Sequence, residues 1–123
     1  MSTLRVNTLQ NAAGTGQPAM SGAAKAWVNF NGAGTIAIRA SFNVTSITDN
    51  GVGDYTVNFT TTLADADYAV VSTIGQTTIT LGGGAAAVCM PKTYSASSIR
   101  ILTGYGNSMT ANDWDQNNVA IFD

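Results

Sequence analysis

The sequence predicts an all-β protein: an antiparallel β-sandwich of about seven or eight short strands, preceded by a short extended N-terminal segment. Three observations predict it. Residues 35–44 alternate, with Ile36, Ile38, Ala40, Phe42 and Val44 on one face and Thr35, Ala37, Arg39, Ser41 and Asn43 on the other. That is the period of a strand with one buried face. Residues 55–59 repeat the pattern, setting Tyr55, Val57 and Phe59 against Thr56 and Asn58. Turn signals rich in Gly, Asn and Asp recur along the chain, and no amphipathic helix of ordinary length is found.

Taken in order, residues 1–10 hold a short alternation, with Leu4, Val6 and Thr8 on one side and Arg5, Asn7 and Leu9 on the other. Residues 11–22 (NAAGTGQPAMSG) have the composition of a linker. Residues 1–24 are therefore expected to form an attachment segment and linker, and residues 25–123 the sandwich domain. An isolated strand needs a partner for its backbone groups, so Leu4, Val6 and Leu9 are the candidate docking handles. The alternatives are a frayed terminus or an edge strand added to the main sheet.

Residues 25–59 hold three strand-like runs separated by Asn31-Gly32-Ala33-Gly34 and Asp49-Asn50-Gly51-Val52-Gly53-Asp54. Both separators supply residues that tolerate positive φ, as tight hairpins require. Two consecutive hairpins predict a meander. Residues 60–67 form a polar connection, and residues 68–74 (YAVVSTI) a strand rich in β-branched and aromatic residues. After Gly75-Gln76 a further strand is expected over 77–81, broken by Gly82-Gly83-Gly84. Residues 85–90 are small and apolar, fitting either a buried strand or one helical turn, and Pro91 is expected to end them. Residues 98–103 alternate, with Ile99 and Ile101 opposite Arg100 and Leu102, and residues 119–122 form a short last strand. Between them, residues 104–116 are the longest stretch without a strand signal.

Composition excludes much chemistry. The chain has no His, and all seven of its acidic residues are Asp, each in a turn or polar loop. The commonest general bases are missing, Ser-His-Asp and Cys-His arrangements are impossible within one chain, and no enzyme is expected. One Cys and no His cannot supply a zinc site. The 49–54 turn faintly resembles half of a glycine-rich calcium repeat, but such sites need stacked copies and it occurs once. An ordinary hairpin turn is the better reading, so neither a metal nor another cofactor is expected. The five Lys and Arg are scattered, leaving no electrostatic footprint for nucleic acid. No apolar run is long enough to insert in a membrane, and no basic segment precedes an apolar one as in a signal peptide. Cys89 is alone, so no internal disulfide forms, and it reads as a small buried hydrophobe. Asn43-Val44-Thr45 and Asn58-Phe59-Thr60 match the glycosylation pattern by chance in a Thr- and Asn-rich chain.

The stretch Lys25-Ala26-Trp27-Val28-Asn29-Phe30-Asn31-Gly32 is followed by Ile38-Arg39, by Ser41-Phe42-Asn43-Val44 and by Asp49-Asn50-Gly51. Gly53-Asp54-Tyr55-Thr56-Val57-Asn58-Phe59 completes the series. In this order the motifs resemble a segment that recurs in tail-fibre and other virion structural proteins of tailed bacteriophages, especially those of aquatic hosts. The resemblance implies a virion component made in the host cytoplasm without a signal peptide. It would dock to a baseplate or tail protein, assemble as a homotrimer and contact the host cell surface; that the receptor is a host surface glycan is read instead from the 104–116 loop. Two other classes stay open: a purely structural baseplate or fibre connector, and a free bacterial carbohydrate-binding module.

Candidate site residues come from the 104–116 loop. Aromatic rings stack on apolar sugar faces while Asn and Asp bind hydroxyls, which makes Tyr105, Asn107, Asp113 and Trp114 the receptor-binding candidates. The alternative is that Trp114 folds back to cover the end of the sandwich. Trp27 and Phe30 read either as core residues or as an interface between copies. Several runs are apolar on both faces, notably Trp27-Val28 and Ala69-Val70-Val71. One face can fill the core, and the other needs cover, which independently suggests an oligomer.

Overall fold

A computed structural model describes residues 22–77 and 86–123, with residues 2, 3, 10 and 13 of the N-terminal stretch. Leu4, Val6 and Leu9, most of the strand expected over 77–81 and the 82–84 glycines lie outside the described residues. Among the described residues there are nine strands and no helix: β1 (Ala24–Asn31), β2 (Ala37–Phe42), β3 (Val44–Gly51), β4 (Asp54–Phe59), β5 (Ala69–Gly75), β6 (Ala87–Ser95), β7 (Ser98–Tyr105), β8 (Thr110–Ala111) and β9 (Gln116–Phe122). They form two antiparallel sheets. The first has the order β2-β1-β9-β5; the second has the order β3-β4-β7-β6, with β8 paired to β7. The protein is an all-β antiparallel sandwich.

Alternation builds the core from both sheets. Ala26, Val28 and Phe30 of β1 and Val119 and Ile121 of β9 face inward from the first sheet. Tyr55, Val57 and Phe59 of β4 and Ile99 and Ile101 of β7 meet them from the second. Phe30 and Tyr55 touch edge to face across the sandwich, ring centroids 5.3 Å apart. Tyr68, just before β5, packs edge-on against Phe59 and sets its hydroxyl 3.0 Å from the carbonyls of Ser95 and Ser98 at the β6–β7 turn. An amphipathic ring can thus be buried without losing its polar contact.

The predicted meander is corrected. The run 35–44 is not one strand: it is cut at Asn43, which adopts φ 54°. β1 and β2 form a hairpin in the first sheet, whereas β3 and β4 form a hairpin in the second. Asn43 is the corner between sheets. Its Nδ2 donates to Lys25 O (3.1 Å) and Thr61 O (3.0 Å), and its Oδ1 accepts from Thr61 N (2.7 Å). Asparagine tolerates left-handed backbone better than most residues because its short amide bonds locally.

The single-face alternation of residues 35–44 is also corrected. Asn29 pairs with Ala40 but Phe30 pairs with Ile38, so Arg39 is an extra residue in β2. This β-bulge shifts the pattern by one. Ile36 and Ile38 pack on the core, while Phe42, opposite Trp27, is 43% exposed.

The expected 49–54 turn is shorter, because β3 runs to Gly51 and β4 starts at Asp54. Asp49 Oδ1 accepts from Gly51 N at 2.9 Å, an Asp closing its own turn. Residues 87–90 are strand rather than helical turn, and Pro91 does not end them: β6 continues to Ser95. β6 is an edge strand, and its register slips between Pro91 and Thr93. An edge bulge is where a sheet accommodates a residue with no N–H.

Candidate functional site

The 104–116 stretch folds inward at its two ends, while residues 107–111 are exposed. β8 turns back on β7, and Trp114 is 3% exposed, its ring edge-on to Tyr105 with centroids 5.2 Å apart. The Trp114 carbonyl accepts from Gly32 N (2.9 Å) and from Asn117 Nδ2 (2.6 Å). Asn117 is fully buried and also donates to Phe30 O at 3.4 Å. Asp113 Oδ1 accepts from Gly53 N (2.7 Å) and lies 2.6 Å from the Tyr55 hydroxyl, which is 2.8 Å from Gly32 O. The one phenolic proton is shared between those two acceptors. Burial, and secondly the Asp113 carboxylate, push the Tyr55 hydroxyl far above its ordinary pKa, so it stays a donor.

The result is a joint that ties the β1–β2 turn, the start of β4 and the chain entering β9. Its glycines are required. Gly53 has φ 63°, and a Cβ there would overlap Thr103 O; at Gly32 one would sit 2.7 Å from the Tyr55 hydroxyl. Of the four loop candidates, Trp114 and Asp113 are therefore held inside this joint, and Tyr105 backs the Trp114 ring. Asn107 lies at the exposed turn between β7 and β8. The four do not converge on one surface.

Two other places present side chains outward. The first is the outer face of the first sheet. Phe42 pairs with Trp27, Trp27 with Ala120, and Ala120 with Val71. This makes one apolar row across all four strands, with Phe42 43%, Trp27 40% and Val71 57% exposed. Trp27 is thus a surface residue and Phe30 a core residue, although they lie three apart in one strand. The next row is Ala40, Asn29, Asn118 and Thr73. Here Arg39 Nη1 donates to Asn29 Oδ1 (3.4 Å), Asn29 Nδ2 to Asn118 Oδ1, and Asn118 Nδ2 to Thr73 Oγ1 (3.2 Å). A shallow depression of about 270 Å³ lies over both rows. The sequence signal was the pair Trp27 and Asn29 on one face of a predicted strand. Their partners on β9 and β5 are nearly a hundred and about forty residues away, so no local pattern could join them.

The second place is on the outer face of the other sheet. An apolar groove of about 140 Å³ runs between β6, β7 and the β7–β8 turn, lined among others by Val88, Met90, Leu102, Tyr105 and Met109. Met109 has φ 54° and is 77% exposed. Cys89, beside the groove in sequence, packs on the core, and burial raises its thiol pKa, so it stays protonated at neutral pH. Among the described residues no three His, Cys, Asp or Glu side chains gather as a metal-binding group. No family model matches the chain, and no curated protein or solved structure is similar to it.

Proposed function

We propose that the protein is a fibre-type structural component of a tailed-phage virion that docks to a baseplate or tail protein and contacts the host cell surface. The motif resemblance over residues 25–59 suggests the class. The observation that carries the contact role is the exposed row Phe42, Trp27, Ala120 and Val71 on the outer face of the first sheet. A strand that turns a Trp to solvent while Val28 and Phe30 beside it are buried has spent an aromatic outside the core, where aromatics usually mark contact surfaces.

Self-association as a homotrimer belongs to the same reading. It is supported by the apolar groove between β6 and β7, whose protruding Met109 a second copy would cover while leaving the first sheet open. Docking through Leu4, Val6 and Leu9 is the remaining part, and it rests on their alternation alone.

Mass spectrometry of purified phage particles tests the reading. The protein should be present in stoichiometric amount, and purified protein should compete with particles for adsorption to host cells. Absence from particles overturns the virion role. Presence without competition leaves a structural connector.

A further inference from the structure

We propose that the outward face of the four-stranded sheet binds an uncharged oligosaccharide, with Trp27 as the stacking ring and Asn29, Asn118 and Thr73 as the hydroxyl-binding edge. The inference deepens the contact role proposed above by naming the ligand class and the residues.

The argument starts from what the two rows offer. Phe42, Trp27, Ala120 and Val71 cross four strands at about 4.8 Å per strand, so the apolar row is about 14 Å long. On one side the next row along the strands is the amide row; on the other, Phe122 and Ala69 widen the apolar strip over β9 and β5, so it is at most two residues deep. A stable protein partner needs about 800 Å² per side, which a strip of this size falls far short of. A chain of two or three sugar rings matches it in length and width. The depression of about 270 Å³ over Trp27, Asn29, Val71 and Asn118 suits one ring seated against the indole.

Charge points the same way. None of the residues lining the depression is charged. The nearest cation on this face, Arg39, is engaged with Asn29 Oδ1 and with Gln116 Oε1 at 3.3 Å. Arg39 keeps its positive charge at the rim, since both of its acceptors are neutral amides, but inside the depression an ionised group would lose water with no charged partner, a cost that a neutral polyol does not bear.

The hydrogen-bonding capacity is complementary. In the relay from Arg39 through Asn29 and Asn118 to Thr73, each amide uses one N–H and one lone pair of its oxygen. Each amide keeps a second N–H and a second lone pair, and Thr73 keeps its O–H. A sugar hydroxyl both donates and accepts, so a row alternating free N–H and C=O groups matches a row of hydroxyls. The relay also holds the amides in place before binding, which reduces the ordering cost. The apolar row beside it would meet the C–H face of the ring.

The test is a titration of the purified full chain with maltotriose, cellotriose and chitotriose, followed by calorimetry and tryptophan fluorescence. Trp114 is buried, so a ligand-induced emission change reports on Trp27. At least one trisaccharide should bind, and Trp27→Ala should weaken it by about tenfold or more. Thr73→Arg, on edge strand β5 and away from the core, should block the depression even if Trp27→Ala proves hard to fold. No binding by any of the three sugars overturns the proposal, as does binding indifferent to both substitutions. An oligomer that Trp27→Ala dissociates also overturns it, because a second copy would then occupy the face. Each of these outcomes is independent of whether the protein is found in phage particles.

Discussion

The two tryptophans have opposite roles that their neighbours in sequence do not reveal. Trp114 is packed under Tyr105 at the end of the sandwich, so Trp114→Ala should destabilise the fold by about 3–5 kcal/mol in chemical denaturation. Trp27→Ala removes a half-exposed ring and should cost about 1 kcal/mol or less by the same measurement. Asn43 carries the corner between sheets through three side-chain hydrogen bonds and a positive φ. Asn43→Ala loses both and should cost about 2–4 kcal/mol. Asn43→Gly loses the bonds but relieves the backbone, so it should be the milder of the two.

At the level of elements, the pairing of β4 with β7 is clamped by Arg100 and Asp54. Arg100 Nε and Nη2 reach the two Asp54 oxygens at 2.7 Å each, a bidentate contact on the outer face of the second sheet. The hydrogen bond from Arg100 holds the Asp54 carboxyl below its ordinary value of 3.8. The folded state therefore resists protonation that the unfolded state accepts. The clamp's contribution is complete above the unfolded pKa and is lost as pH falls through the lower folded one. Asp115, held low by its bonds to Thr77, acts in the same direction. Thermal melts from about pH 5 to about pH 2 should show a shallower loss of melting temperature in Asp54→Asn than in the parent, with a residual slope from Asp115.

At the scale of the molecule, the strand order places two different surfaces on the two outer faces. The first sheet shows an aromatic row and an amide relay. The second shows a groove between β6 and β7 under Met109. Light scattering at micromolar concentration should give three times the chain mass, and Met109→Asp should reduce it toward that of one chain. A single-chain mass for the parent would remove the trimer from the proposed function.

The sequence by itself determined the class and the inward faces of the central strands. Tyr55, Val57 and Phe59 point into the core because strand geometry alternates whatever the strand pairs with. Ile99 and Ile101 opposite Arg100 and Leu102 follow for the same reason. Only the tertiary structure decided which sheet each hairpin joins, since Asn43 turns the chain from the first sheet into the second within a run whose alternation continues unbroken in sequence. It also decided that Phe42 faces out, because the extra residue Arg39 is a bulge only with respect to β1. β3 is not legible in the sequence, because it is an edge strand with mostly polar, exposed side chains and so carries little hydrophobic period. The outer-face rows are the furthest from legible. They join β2, β1, β9 and β5 side by side, and cross-strand neighbours are fixed by pairing between distant segments, on which local periodicity is silent.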